Sequence, residues 1–251
     1  MVSAEFAGRY YLASWLHIKE KYRNITMHYG LRILKRRRAV DLALAAKFLE
    51  VPVANVSDCM ARMTAAGARL RPMHAGGQMA GPALTVKTRP GDNLMVHKAL
   101  QMATPGDVIV VDGGGDLTNA LIGEIMVGDA MRQRLGGIVI NGAIRDADIL
   151  RGFEFPIFAA GVTHRGPYKD GPGEINVPIA IDGMVIEPGD LVIGDGDGVL
   201  CVPYDSAAEL LEATQRKQGA EAQLIAQIAD GSYDRSWIDV ILSRLNCYIE
   251  R

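Results

Sequence analysis

The chain has 251 residues, 49% hydrophobic and 22% charged, with a net charge of −2, the composition of a globular protein able to fill one good-sized core. Its longest apolar stretches, such as Val108–Val111 and Gly137–Ile140, are strand-length and far below the roughly 20 residues of a membrane span, so no membrane partner is expected. Cys59, Cys201 and Cys247 lie far apart with no CxxC spacing, which excludes a disulfide framework or zinc site and points to reduced thiols in the cytoplasm.

Residues 1–38 read as an extension ahead of a single domain over 39–251. They carry nine Lys/Arg against Glu5 and Glu20, a balance of +7 that leaves −9 for the remainder. They also hold six of the fifteen aromatics. Phe6, Tyr10 or Tyr11, Trp15, Ile18 and Tyr22 recur at steps of three to four, one helical face. An oligomer arm and a disordered stretch upstream of the true start are the two readings. No basic start, apolar run and small-residue cleavage site mark a signal peptide. The run Lys35–Arg38 would suit nucleic acid, but the body is acidic and no binding motif accompanies it. The reading is a solvated helix end or an arm on an acidic neighbouring subunit, with no nucleic-acid partner.

From Val40 the pattern is mixed α/β. Helices are predicted over Asp41–Leu49 and over Ser57–Ala66, the second with Ser57 as N-cap. A strand over Ala83–Thr88 precedes a helix over Asn93–Ala103, ended by Pro105. Asp107–Asp112 is a strand, Gly113–Gly115 a loop and Ala120–Arg134 a helix. The next strand, Gly137–Asn141, turns at Gly142 into a helical turn over Asp146–Arg151. Pro156–Ala160, Ile179–Ile181, Met184–Ile186, Leu191–Gly194 and Val199–Val202 follow as short strands, with Cys201 in the core. Ser206–Ala229 is a long helix, and an amphipathic one with Trp237, Ile238, Ile241, Leu242 and Leu245 closes the chain. Three Pro-Gly-Asp units, at 90–92, 105–107 and 188–190, have the chemistry of type II turns. The order suggests an α/β body with more than one sheet.

Several chemistries are absent. Gly113–Asp116 lacks the Gly-Lys-Ser/Thr of a P-loop and the dinucleotide spacing. Asp195-Gly-Asp-Gly198 is a glycine hairpin rather than a calcium loop, since Val199 takes the third acidic position. No Gly-x-Ser-x-Gly elbow is present.

The informative stretch is Gly123–Asp148. Gly123-Glu124 lies near a helix opening, where the amides of Ile125 and Met126 lack intrahelical partners and suit a carboxylate. Arg145-Asp146 follows a strand's C-terminal end, the edge where α/β folds bind ligands. Arg145 can fork onto a carboxylate, Asp146 offers a hard oxygen to Mg²⁺ or Mn²⁺, and Glu124 can orient a water or act as a base. Spacing alone serves a surface ion pair with two helix caps equally well.

Glu124, twenty residues, then Arg145-Asp146 resembles the acidic-x20-Arg-Asp signature of the class II pyruvate aldolases. That family, the 4-hydroxy-4-methyl-2-oxoglutarate aldolases, also includes the RraA-like regulators of ribonuclease activity. Asn93-Leu-Met-Val-His97, the Asp112-Gly-Gly-Gly loop, Gly142-Ala-Ile-Arg-Asp146 and Gly194–Pro203 extend the likeness from about Val40 to about Tyr233. The resemblance implies an α/β fold with an RraA-like swivelling β/β/α core, short-stranded sheets and flanking helices, assembled as a homotrimer or hexamer. It implies Asp146 as direct ligand of Mg²⁺ or Mn²⁺, with Glu124 acting through a bound water. Glu221 of a neighbouring subunit would act in the same way. It implies Arg145 and Glu124 as catalytic groups, the Gly123–Met126 amides at the substrate carboxylate, and Asn93 and His97 nearby. The chain departs from the pattern in placing Glu124 where the best-known aldolases have aspartate, and in residues 1–38. The implied reaction is retro-aldol cleavage of a 4-hydroxy-2-oxo acid to pyruvate, with oxaloacetate decarboxylation alongside. No lysine matches a Schiff-base position. The other family role is a non-catalytic regulator that binds an RNA-degradation enzyme.

Overall fold

The computed structural model describes residues 28–64 and 66–250. In chain order these hold β1 (Leu31–Ile33), α1 (Leu42–Lys47), α2 (Val53–Cys59), β2 (Arg71–Pro72), β3 (Met79–Thr88), α3 (Leu94–Met102), β4 (Val108–Asp112), β5 (Ala120–Ile122) and α4 (Glu124–Arg132). Then follow β6 (Gly137–Ile144), α5 (Ala147–Leu150), β7 (Ile157–Val162), β8 (Gly173–Ile175), β9 (Ile179–Ile181), β10 (Met184–Ile186), β11 (Leu191–Asp195), β12 (Gly198–Val202), α6 (Ala207–Asp230) and α7 (Ser236–Arg244).

The main sheet runs β1-β8-β3-β4-β6-β7-β2, with β3, β4, β6 and β7 mutually parallel. Strand β3 serves two neighbourhoods. Met79–Pro82 pairs antiparallel with β11, whereas Ala83–Thr88 pairs with β4 and β8. Pro82, which has no N–H to give a ladder, stands at the hand-over. Alternation then assigns each strand's side chains to separate cores. Ile109 and Val111 of β4 pack under α3 and α4, while Val108 and Val110 face β9 and β10. Both faces being covered explains why β4 reads as an unbroken apolar run. Leu191, Ile193, Leu200 and Val202 form a third cluster with α1, α2 and the start of α6. Cys201 is buried, as expected, and its thiol is pushed up first by that burial and then by Asp190.

Gly91, Gly106 and Gly189 of the three Pro-Gly-Asp turns all take positive φ, and Gly196-Asp197 joins the β11–β12 hairpin. Several boundaries differ from expectation, and β3 begins at Met79, four residues before the expected Ala83. Ser57 lies inside α2, whose N-cap is Pro52. The segment Ala120–Arg134 divides into β5 and the shorter α4, because Ala120–Ile122 finds a ladder on the end of β6. Strand β6 runs on through Gly142 to Ile144, and β7 likewise extends to Val162.

Residues 28–38 of the expected extension lie on their own chain. β1 pairs with β8, Arg32 pairs with Glu174, and Arg38 reaches Glu187 and Asp205. Arg36 Nη1 sits 2.7 Å from Oδ1 of Asp107, whose side chain is 2% exposed. Removing one partner of a buried pair leaves the other charge uncompensated, so Arg36→Met is expected to cost about 3 kcal/mol in a urea titration. The aromatic face over Phe6–Tyr22 lies outside the described residues. On the C-terminal helices, Ile225, Ile228, Trp237, Val240 and Leu245 are exposed. Among the described residues no helix is long and apolar enough to cross a membrane.

Candidate functional site

The end of β6 and the start of α4 build one small constellation. Arg145 N donates to Ile122 O at 3.0 Å, which fixes the exit from β6 beside the last residue of β5. Gly123 then leads into α4, and Glu124 N donates to Asp146 Oδ2 at 2.9 Å. One carboxylate thus satisfies a first-turn amide of a helix whose start lies 22 residues earlier in the chain. Asp146 itself is left-handed, φ 58 and ψ 33, a conformation that aspartate tolerates better than most L-residues. Arg145 Nε is 3.7 Å from Asp146 Oδ2, and among the described residues its Nη atoms have no carboxylate partner.

Of the two amides expected to receive a carboxylate, Met126 N already donates to Gly123 O at 3.1 Å. Ile125 N has no acceptor among the described residues. The cost of leaving it so is small at this exposed turn, since Ile125 is 83% exposed.

Arg145 lines two cavities. The first, about 350 Å³, is lined by Asn93, His97, Leu121, Gly123, Ile125, Met126, Gly166 and Lys169. The second, about 690 Å³, is lined by Asp146, Asp148, Ile149, Thr163 and His164. Arg145 lines both cavities, Asn93 and His97 the first and Asp146 the second, so the four residues share one neighbourhood. Glu124 reaches the group through its backbone, and its exposed side chain lines neither cavity. Glu221 lies apart on α6, where Asn55 Nδ2 donates to it at 2.6 Å and Lys217 Nζ pairs with it at 2.6 Å. These contacts hold its carboxyl below the usual range, Lys217 first.

Asn93 is 2% exposed and precedes α3; its Nδ2 donates to Leu121 O at 2.9 Å, while Oδ1 has no partner. An unmet acceptor in a cavity wall is costly and marks a place for a donor from a ligand or water. Lys169 was not anticipated from the sequence, since it sits in a loop without periodicity. Burial first, and the charge of Lys169 second, hold His97 below its ordinary value of 6.5. The folded protein thus favours neutral His97. The unfolded chain takes up its proton first, so this stabilisation is full above pH 6.5 and is lost as pH falls below it. An NMR titration is expected to place the His97 midpoint under 6.5, and Lys169→Met to raise it only part of the way, because burial is the larger cause.

Fold and site together define an α/β protein with a cationic pocket at a strand end, beside a carboxylate that caps a helix. The chain belongs to the RraA-like family, described as Aldolase/RraA, whose match spans residues 53–201. A Halalkalibacterium halodurans protein provisionally named 4-hydroxy-4-methyl-2-oxoglutarate aldolase is 38% identical over 190 residues, 76% of this chain and 90% of that one. Among solved structures, an uncharacterized Pseudomonas syringae protein superposes with a TM-score of 0.69 at 26% identity, covering 77% of this chain and 96% of its own. Streptomyces coelicolor RraAS2, described as an unusual member of the RNase ES inhibitor RraA family, gives 0.67 at 27% identity, covering 74% and 96%.

Proposed function

We propose that the chain is a divalent-metal-dependent carbon–carbon lyase that cleaves a 4-hydroxy-2-oxo acid, such as 4-hydroxy-4-methyl-2-oxoglutarate, to pyruvate. The observation that carries this reading is the meeting of Arg145, Asp146 and the start of α4 at the 2.9 Å bond from Glu124 N, beside a cavity with a second cation, Lys169. The provisional name of the Halalkalibacterium relative points the same way.

Among the described residues no three His, Cys, Asp or Glu side chains cluster as a closed metal site. A lone carboxylate with Glu124 nearby suits Mg²⁺ or Mn²⁺, which keep waters and accept substrate oxygens, rather than zinc. Asp146 would hold the ion directly and Glu124 through water; Glu221 could join only from a neighbouring subunit. When bound, the ion supplies Lewis-acid polarisation of the substrate's carboxylate and 2-keto oxygens.

The chain's own groups account for the rest. Arg145 and the Ile125 amide take the C1 carboxylate, and Arg145 steadies charge developing on the C2 oxygen. A water oriented by Glu124 takes the C4 hydroxyl proton. C4 then becomes a carbonyl, the C3–C4 bond breaks, and its electron pair moves toward the C2 oxygen before C3 is protonated to give pyruvate. Oxaloacetate loses carbon dioxide along the same electron path. The two cations, Arg145 and Lys169, suit an acid with a second anionic group.

The RraAS2 likeness supports a second reading, a regulator of an RNA-degradation enzyme. Such a role requires an outer surface and no pocket, whereas Asn93 leaves a buried acceptor unmet in a cavity wall. Pyruvate release from oxaloacetate and from 4-hydroxy-2-oxo acids, coupled to lactate dehydrogenase, tests the choice. Release that EDTA abolishes and Mg²⁺ or Mn²⁺ restores is expected; silence on every substrate with metal supplied overturns the lyase.

A further inference from the structure

A third cavity, about 950 Å³, shares no wall residue with the two beside Arg145. The run 33–38 forms one wall, and Asn176, Pro178 and Pro188 form the other, so four cations and no carboxylate line it. Two of the four are already paired, Arg36 with Asp107 and Arg38 with Glu187 and Asp205. Lys35 and Arg37, the alternate positions, are exposed and have no carboxylate partner among the described residues. The run is pinned at both ends: Leu34 N donates to Ile175 O at 3.0 Å and Val40 N to Gly189 O at 2.9 Å. A Cβ at Gly189 would collide with Arg38 O, so the wall is closely fitted to the body.

Asn176, 7% exposed, shows what the cavity lacks. Its Nδ2 donates to Leu34 O at 2.9 Å, while Oδ1 has no partner among the described residues. Turning the amide over would set Oδ1 against the Leu34 carbonyl, so the free end is an acceptor. A bare anion leaves that acceptor unmet; the occupant needs an N–H or O–H donor as well as negative charge. Ile33, Leu34, Pro178 and Pro188 add an apolar side, the usual lining of a small-molecule site. We propose that this cavity binds a nucleoside triphosphate. Its phosphates lie on Lys35 and Arg37, its base on the apolar side, and one base or sugar donor at Asn176 Oδ1. The site is independent of the lyase reading.

Calorimetry on the full chain in EDTA, which keeps metal off Asp146, tests it with two probes, ATP and tripolyphosphate. The wild type is expected to bind ATP about fivefold or more tightly than tripolyphosphate, the size of one neutral hydrogen bond. Lys35→Gln and Arg37→Gln should each weaken both probes about tenfold, the size of one charge-assisted contact. Asn176→Gly suits the left-handed φ of 57 and deletes the amide. It should bring ATP down to the level of tripolyphosphate, whose own affinity stays within about twofold. Should Asn176→Gly fail to fold by circular dichroism, Leu34→Ser removes part of the apolar side and is read in the same way. Arg145→Ala should change neither probe. Absence of saturable ATP binding at millimolar concentration overturns the proposal. Equal affinity of the wild type for both probes also overturns it and leaves a plain basic surface; loss of ATP binding in Arg145→Ala overturns it by moving the anion to the strand-end pocket. An oligoribonucleotide that binds more tightly than ATP, and is weakened by the same changes, overturns it in favour of an RNA surface.

Discussion

Arg145→Ala is expected to lower kcat for pyruvate release by about 100- to 1000-fold, the usual loss when one group facing a developing oxyanion is removed. The fold should survive the change. What fixes this residue in the structure is its backbone, whose N–H meets Ile122 O at 3.0 Å, while the side chain is 43% exposed. Its contact with Asp146 Oδ2 is long, 3.7 Å, so little native-state stability depends on it. Arg145→Lys restores charge without the planar fork and should recover only a part of the rate. Coupled pyruvate release with a thermal melt in parallel reads both quantities. An alanine variant that keeps activity within about twofold would remove Arg145 from the reaction.

The ease of reading this protein from its sequence varied with the range of the forces involved. Strands β4, β11 and β12 were readable because alternation and apolar runs are local signals. The three Pro-Gly-Asp turns were readable for the same reason. Joining Glu124 to Arg145-Asp146 took two steps: the rule that helix starts and strand ends share one edge, and the family likeness. The misread segments have tertiary causes. Ala120–Ile122 is a plausible helical turn until the end of β6 offers it a ladder, and Gly142 looks like a turn until β5 and β7 extend β6 past it. Lys169 carries no local pattern; its loop is tied to the wall that holds His97 by the Asp92 carboxylate, 77 positions earlier, and by the main-chain bonds of Tyr168 to Gly91 and Asn93. The partners of the basic run 35–38 are equally distant, since Arg36 meets Asp107 and Arg38 meets Glu187 and Asp205 on the same chain.

Gly123→Ala is expected to cost as much activity as losing the Asp146 charge, although neither backbone conformation nor charge changes at position 123. The φ of Gly123 is −154°, extended backbone open to any residue. Space is what requires glycine: a Cβ would collide with Asp146 Oδ2 and stand 2.9 Å from Arg145 Cγ. A methyl group must therefore push the carboxylate off Glu124 N and displace the guanidinium at once. Asp146→Asn is the matched comparison. It keeps an acceptor for Glu124 N and a side chain that tolerates φ 58, and removes only the charge a cation would bind. Both variants should lose about 100-fold or more in kcat/KM, and both should weaken Mn²⁺ binding measured by electron paramagnetic resonance. Only Gly123→Ala should also lower the melting temperature, because it alone breaks the helix cap. If Gly123→Ala kept full activity and Mn²⁺ affinity, the Asp146 carboxylate could work from another position, and its contact with the start of α4 would be a cap and nothing more.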